Sequence, residues 1–188
     1  EIKCTDDKFP FLDFAEIGYR AVILGQKSYN GVAILSPLDM DKVERNFPGD
    51  DGDAPSRLIA ATVKGVRIVD VYIPNGTELG TDKFTFKLDW MQRLRNLFDE
   101  SCSTDSDVLL CGDFNIAEDE RDVYDVLTWR GKLHFTIPER ASLDYLKRWG
   151  FVDAFRKFNQ EAKQFTWWNY REGAFQRDNG LRIDYIWV

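Results

Sequence analysis

The sequence has one histidine, His134, and three widely spaced cysteines, Cys4, Cys102 and Cys111. One histidine excludes a multi-histidine metal centre. Three cysteines form neither a zinc-ligand pattern nor an even disulfide framework, which predicts reduced thiols in a cytoplasmic protein. Basic residues are in deficit, 25 against 32 acids. That excludes a protein that coats nucleic acid by bulk charge, but not a nucleic-acid enzyme with one basic face and an acidic site. No apolar run approaches the roughly 20 residues of a membrane span, and no charged-then-apolar leader opens the chain. What is present is a core-forming composition: 188 residues, 44% hydrophobic and 14% aromatic. It suits one domain, 1–188, rather than a disordered chain.

The first half reads as β structure. Apolar runs Tyr19–Leu24 and Gly31–Ser36 are separated by a polar turn, and Arg57–Val63 and Val66–Ile73 are joined across Lys64-Gly65, predicting two hairpins. The acidic segment Pro48–Pro55 lacks calcium-loop spacing and reads as a solvated loop. Thr81–Glu100 carries Trp90, Met91, Leu94, Leu97 and Phe98 at helical spacing. Asp107–Cys111 reads as a buried strand. Thr136-Ile137-Pro138-Glu139 has the form of a capping box with an early proline, opening a helix with Leu143, Leu146 and Trp149. Gln164–Asn169 and Leu181–Val188 read as the last strands. Hairpins interleaved with long helices predict an α/β or α+β class.

Four segments carry candidate chemistry. In Cys111-Gly112-Asp113-Phe114-Asn115 a buried strand delivers a carboxylate and a carboxamide two residues apart, on one face in extended geometry. Such a pair can orient a water or a phosphate oxygen; an Asx turn is the structural alternative. Tyr72 ends a strand before the Pro74-Asn75-Gly76 turn, so Tyr72 and Asn75 can donate to a phosphoryl oxygen. In Leu181-Arg182-Ile183-Asp184-Tyr185 an aspartate sits in an apolar strand and needs a partner, either Arg182 or a catalytic histidine to be oriented. Trp167-Trp168-Asn169-Tyr170-Arg171 can fill a core or stack on a sugar or base, with Arg171 on a phosphate. His134, by itself, reads as an incidental loop or surface residue.

Taken in order, these segments resemble the exonuclease III and abasic-site endonuclease family of the endonuclease/exonuclease/phosphatase superfamily. The matching pieces are Glu1-Ile2-Lys3-Cys4, Tyr72–Gly76, Gly112–Asn115, Phe135–Arg140, Phe165–Trp168 and Gly180–Tyr185. The resemblance implies a DNase I-like, four-layered sandwich: two mainly antiparallel sheets flanked by helices. It implies a DNA-repair phosphodiesterase acting on duplex DNA, with incision on the 5′ side of abasic sites and 3′-to-5′ exonuclease or 3′-end-cleaning activity. Glu1 then binds Mg²⁺, for which Mn²⁺ can substitute. Tyr72 and Asn75 contact phosphate, Asp113 activates the attacking water, Asn115 supports Asp113, and Asp184 orients a histidine. Trp167, Leu181 and Ile183 form the pocket for a flipped-out abasic sugar, with Lys27, Arg140, Arg171 and Arg177 as candidates for a DNA-facing rim. A monomer is expected. The alternatives are a superfamily cousin acting on another phosphoester and a catalytically inactive DNA-binding fragment. The family's leading β-α-β segment with a metal-site asparagine, and its closing Ser-Asp-His segment, have no counterpart among these residues. The domain is therefore expected to be incomplete at both ends, and poorly stable and inactive as the isolated piece.

Overall fold

The computed structural model describes residues 1–188. The chain divides into two compact units, the first formed by Glu1–Tyr72 and Cys102–Gly112, the second by Ile73–Ser101 and Asp113–Val188.

The first unit is mainly β. After a short helix α1 (Phe11–Glu16), strands β1 (Arg20–Leu24) and β2 (Val32–Ser36) form an antiparallel hairpin with Leu24 opposite Val32. Strands β3 (Asp41–Arg45), β4 (Leu58–Val63), β5 (Val66–Tyr72) and β6 (Val108–Asp113) follow one another across a sheet. Both expected hairpins are present, β4 and β5 meeting at Val63 and Val66. Their β-branched residues supply the core: Val32, Ile34, Ile59 and Ala61 are buried, with Val22, Val43, Ile68 and the ring of Tyr72 packed against them. Strand β3 was not expected. Asp41-Lys42-Val43-Glu44-Arg45 offers one apolar residue, and β3 lies at the end of the strand order, where charged side chains suit an unpaired edge.

Strand β6 runs two residues further than its apolar run. Gly112 makes this possible: at φ +130°, a Cβ there would stand 1.9 Å from the Val71 carbonyl oxygen. Only glycine allows β6 to come this close to β5 and still deliver Asp113 at its end.

The second unit is built on two packed helices, α2 (Asp82–Ser101) and α4 (Ile137–Lys147), with shorter helices α3 (Val126–Trp129) and α5 (Ala154–Phe158). Helix α2 buries Trp90, Met91, Leu94 and Phe98 as its periodicity requires, while Leu97 is half-buried. Helix α4 opens with the expected capping box: Thr136 Oγ1 accepts from the Glu139 amide, and Glu139 Oε2 accepts from the Thr136 amide. The final strands are shorter than expected. Only Trp167–Trp168 (β7) forms in the first, and the second is broken into Gly180–Leu181 (β8) and Asp184–Trp187 (β9).

Arg182 explains the break. Strict alternation would place it beside Asp184 and Ile186, which are exposed, yet it is 2% accessible. Its Nε and Nη2 donate to both oxygens of Asp122 at 2.7 and 3.2 Å, and its Nη1 to Asp153 at 2.7 Å. Arg156 completes the cluster on Asp122 at 2.5 Å. The guanidinium's demand for fully paired burial overrides the pleat. Arg182 is thus not the partner of Asp184.

Candidate active site

Within the second unit, Asp113, Asn115 and Asn75 form one hydrogen-bonded group. The Asn115 amide donates to Asp113 Oδ1 at 2.8 Å, so the Asx turn forms and it also sets the direction of the Asp113 carboxyl. The Asn115 side-chain amide donates to the Ile73 carbonyl at 3.0 Å and to Asp113 Oδ2 at 3.3 Å. Its carbonyl oxygen accepts from Asn75 Nδ2 at 3.2 Å, and Asn75 Oδ1 accepts from the Thr77 amide at 3.1 Å. Asn115 is buried and holds φ +52°, a left-handed conformation that asparagine tolerates better than most residues. Asn75 is exposed, and one of its amide protons is uncommitted in this group.

Asp113 is the chemically loaded member. Burial and, after it, the charge of Asp184 push its carboxyl up to about 7, against the ordinary carboxylate range. Asp184 is itself raised, mainly by desolvation, while a hydrogen bond from Thr166 works the other way. Thr166 Oγ1 also accepts the amides of Ile183 and Asp184, both at 3.1 Å. A carboxyl whose charge is opposed by desolvation and by a neighbouring carboxylate favours a proton or a cation, and a group poised near neutrality suits proton transfer.

Lys87, Glu139 and His134 were not assigned to the site from sequence. Lys87 lies on the apolar face of α2 with no accessible surface, and its Nζ is 2.6 Å from Glu139 Oε1. A lysine inside an apolar helical stripe was the available signal. His134 was read as incidental, but its Nδ1 is 2.7 Å from the Asn115 carbonyl oxygen and its ring lies 6.3 Å from those of Trp129 and Trp167. Burial, then Lys87, pushes its pKa down to about 4, so it is neutral at physiological pH.

The three pocket candidates fall together. Leu181 and Ile183 are buried with Ala117, Val123 and Phe135, and the half-buried Trp167 packs on that cluster. Beside it, Trp167, Trp168, Tyr170 and Phe175 line a concavity, and Trp168 Nε1 donates to Asp178 at 3.1 Å. Arg171 and Arg177 are exposed. Arg140 instead lies over the Phe135 ring at 4.6 Å.

The first unit holds Glu1 and Tyr72. Glu1 Oε1 accepts from the Asn30 amide at 2.7 Å, and Oε2 is 3.1 Å from Lys3 Nζ. The guanidinium of Arg57 lies 4.7 Å from the Tyr72 ring centroid and donates to its carbonyl at 3.1 Å. Lys27 is exposed in the same unit.

The sequence profile of the Endonuclease/Exonuclease/phosphatase family matches residues 1–188. The chain is 32% identical over 200 residues to exodeoxyribonuclease III of Haemophilus influenzae, covering 100% of this chain and 75% of the relative. The chain belongs to this family, in the exonuclease III and abasic-site endonuclease branch. Its members are hydrolytic, metal-dependent nucleases. A 3′ phosphatase from Neisseria, solved with a product DNA hairpin, superposes with a TM-score of 0.93 at 40% identity, over 99% of this chain and 72% of that one. An AP endonuclease from Archaeoglobus fulgidus gives a TM-score of 0.93 at 32% identity, over 98% and 72%. The family fold, with mixed α/β content and a DNase I-like arrangement, is that expected from the sequence. No helix is long and apolar enough to cross a membrane.

Proposed function

We propose that the chain is the greater part of a DNA-repair phosphodiesterase that cleans 3′ ends and incises duplex DNA at abasic sites. One observation carries the reading. A half-buried carboxyl pushed up to about 7 stands at the end of a strand, fixed by the Asn115 amide at 2.8 Å. The duplex-DNA substrate class is supported by the Neisseria relative, which was solved with product DNA, and by the two endonuclease and exonuclease relatives.

In this mechanism Asp113 in its ionised form takes a proton from the attacking water. Asn115 fixes the direction of that carboxylate through two donors. Asn75 spends one amide proton on Asn115 and offers the other to a phosphoryl oxygen. Tyr72, in the first unit, keeps the phosphate-contacting role that the resemblance implies, and Arg171 contacts the backbone on the exposed rim. Asp184, steadied by Thr166, keeps the role that the resemblance implies, orienting a histidine; His134, held at the Asn115 carbonyl, is not assigned to it. Trp167, Leu181 and Ile183 give the sugar an apolar wall.

Glu1 is the proposed metal ligand. Its carboxylate, with one oxygen held by a backbone amide and the other facing a surface lysine, is a hard oxygen donor of the kind Mg²⁺ and Mn²⁺ take. When bound, the ion supplies charge neutralisation at the phosphoryl oxygens. We further propose that the protein acts as a monomer.

The test uses the full-length protein with two duplexes, one carrying a 3′-phosphate at a nick and one a single abasic-site analogue. Mg²⁺-dependent release or incision, abolished by chelator, is expected. No reaction on either duplex refutes the reading.

A further inference from the structure

Lys87 is placed where burial of an ammonium needs a reason. It occupies the apolar face of α2 three residues before Trp90 and four before Met91, and it is fully buried. Its three protons are all directed: to Glu139 Oε1 at 2.6 Å, to the Asn115 carbonyl at 2.8 Å and to the Asn75 carbonyl at 3.2 Å. Glu139 is held equally firmly. It accepts from the amides of His134 and Thr136, both at 3.0 Å, and from Thr136 Oγ1 at 2.7 Å. Room for the lysine stem comes from Gly76, φ +89°, where an added Cβ would stand 3.1 Å from Lys87 Cδ.

A buried ion pair contributes little stability that well-packed apolar groups could not supply. Its placement here points to what it holds. The two carbonyls it joins belong to Asn75 and Asn115, whose side chains are already bonded to each other at 3.2 Å. The ammonium therefore fixes the backbone of both residues, while their side chains bond each other and, from Asn115, Asp113. His134 Nδ1, 2.7 Å from the same Asn115 carbonyl, adds a further restraint.

We propose that Lys87 and Glu139 are positioning residues for the hydrolysis. Lys87 pins the main chains of Asn75 and Asn115 so that one amide reaches the phosphate while the other aligns Asp113, and Glu139 keeps the pin charged and in place. This rests on the phosphodiesterase reading above. A loosened pin misplaces the reacting groups by fractions of an ångström, which acts on kcat more than on binding.

Two variants of the full-length protein test this. Lys87→Met/Glu139→Gln removes both charges and leaves no unpaired buried ion, so it is expected to melt within a few degrees of the wild type. On the 3′-phosphorylated nicked duplex its kcat should fall about 10- to 100-fold with KM changed less than about 3-fold. Exchange of the Asn115 amide should quicken at least about 10-fold, while that of Phe114, bonded to the Ile183 carbonyl, stays unchanged. A folded double variant with wild-type kcat and wild-type Asn115 exchange overturns the proposal. The double variant guards against loss of folding, while Glu139→Gln alone keeps the shape but leaves the ammonium without its counter-charge. The titratable groups facing Lys87 are Glu139, His134 and Asp113; without the Glu139 charge the ammonium loses its proton more easily. The alkaline limb of kcat should move to lower pH, and an unmoved limb overturns the proposal. If the wild type cleaves neither duplex, the phosphodiesterase reading fails, and Asn115 exchange still decides whether the pin exists.

Discussion

Asn75 Nδ2 donates to Asn115 Oδ1 at 3.2 Å, joining an exposed residue of a turn to a buried one forty positions later. The two amides divide the work by their burial. Asn115 has every group engaged: its N–H and side-chain N–H on Asp113, its main-chain carbonyl on Lys87, its side-chain oxygen on Asn75. Asn75 retains a donor that faces solvent.

That division predicts different phenotypes for two equal truncations. Asn115→Ala should cost about 1–3 kcal/mol of stability, because it strips partners from buried polar groups, and should also reduce kcat. Asn75→Ala should leave stability within about 0.5 kcal/mol and reduce activity alone. Denaturant melts and steady-state kinetics on the same preparations check both. In a double-mutant cycle the two should be non-additive by about 0.5 kcal/mol or more.

The Asp113 carboxyl gives a pH prediction. Its folded-state value is pushed up to about 7 by burial and by Asp184, against 3.8 for the free group. Between those values the folded protein keeps a proton that the unfolded chain has released, so this group destabilises the fold progressively as pH rises toward 7. In metal-free protein, Asp113→Asn should therefore raise Tm at pH 8, with the gap closing toward pH 4. Calorimetry with chelator present measures this, and a pH-independent gap counts against it. Asp184→Asn removes the like charge and should move the Asp113 carboxyl midpoint, followed by carbon NMR, to lower pH.

Gly112→Ala tests how Asp113 is delivered. The added Cβ would meet the Val71 carbonyl oxygen at 1.9 Å from a backbone at φ +130°. Strand β6 must then separate from β5, at a cost of roughly 3 kcal/mol or more. Denaturant titration should show a severe loss of stability or no soluble protein. A wild-type melting curve would show that β6 can approach β5 with a side chain in place.

Much of this was legible in the sequence where the signal is local. The hairpins follow from β-branched runs around tight turns, the α2 stripe from its period, and the α4 start from Thr136 and Glu139. What escaped depends on distant partners. Glu139 was readable as a capping residue, but its second oxygen belongs to Lys87, fifty-two positions away. His134 gave no local sign of its place beside the Asn115 carbonyl. Arg182 looked like the neighbour of Asp184 by alternation, because nothing nearby announces Asp122 and Asp153. The polar strand β3 forms by pairing with β4 rather than by its own preference.

Arg182 itself carries a stability prediction. Its guanidinium is held by Asp122 and Asp153, which are 0% and 2% accessible. Arg182→Ala leaves both carboxylates buried beside a void and should cost about 3–5 kcal/mol. The change also frees the segment between β8 and β9, so the amides of Ile183 and Asp184, which donate to Thr166, should exchange faster. A Tm within a few degrees of wild type would contradict this account of the strand break.

The central claim is that Asp113 is the base of a metal-dependent phosphodiester hydrolysis. The most direct measurement is single-turnover cleavage by the full-length protein and its Asp113→Asn variant, with Mg²⁺, on a nicked duplex bearing a 3′-phosphate. The account predicts that the variant binds the duplex as the wild type does but reacts at least about 100-fold more slowly. A variant that cleaves at the wild-type rate would contradict it.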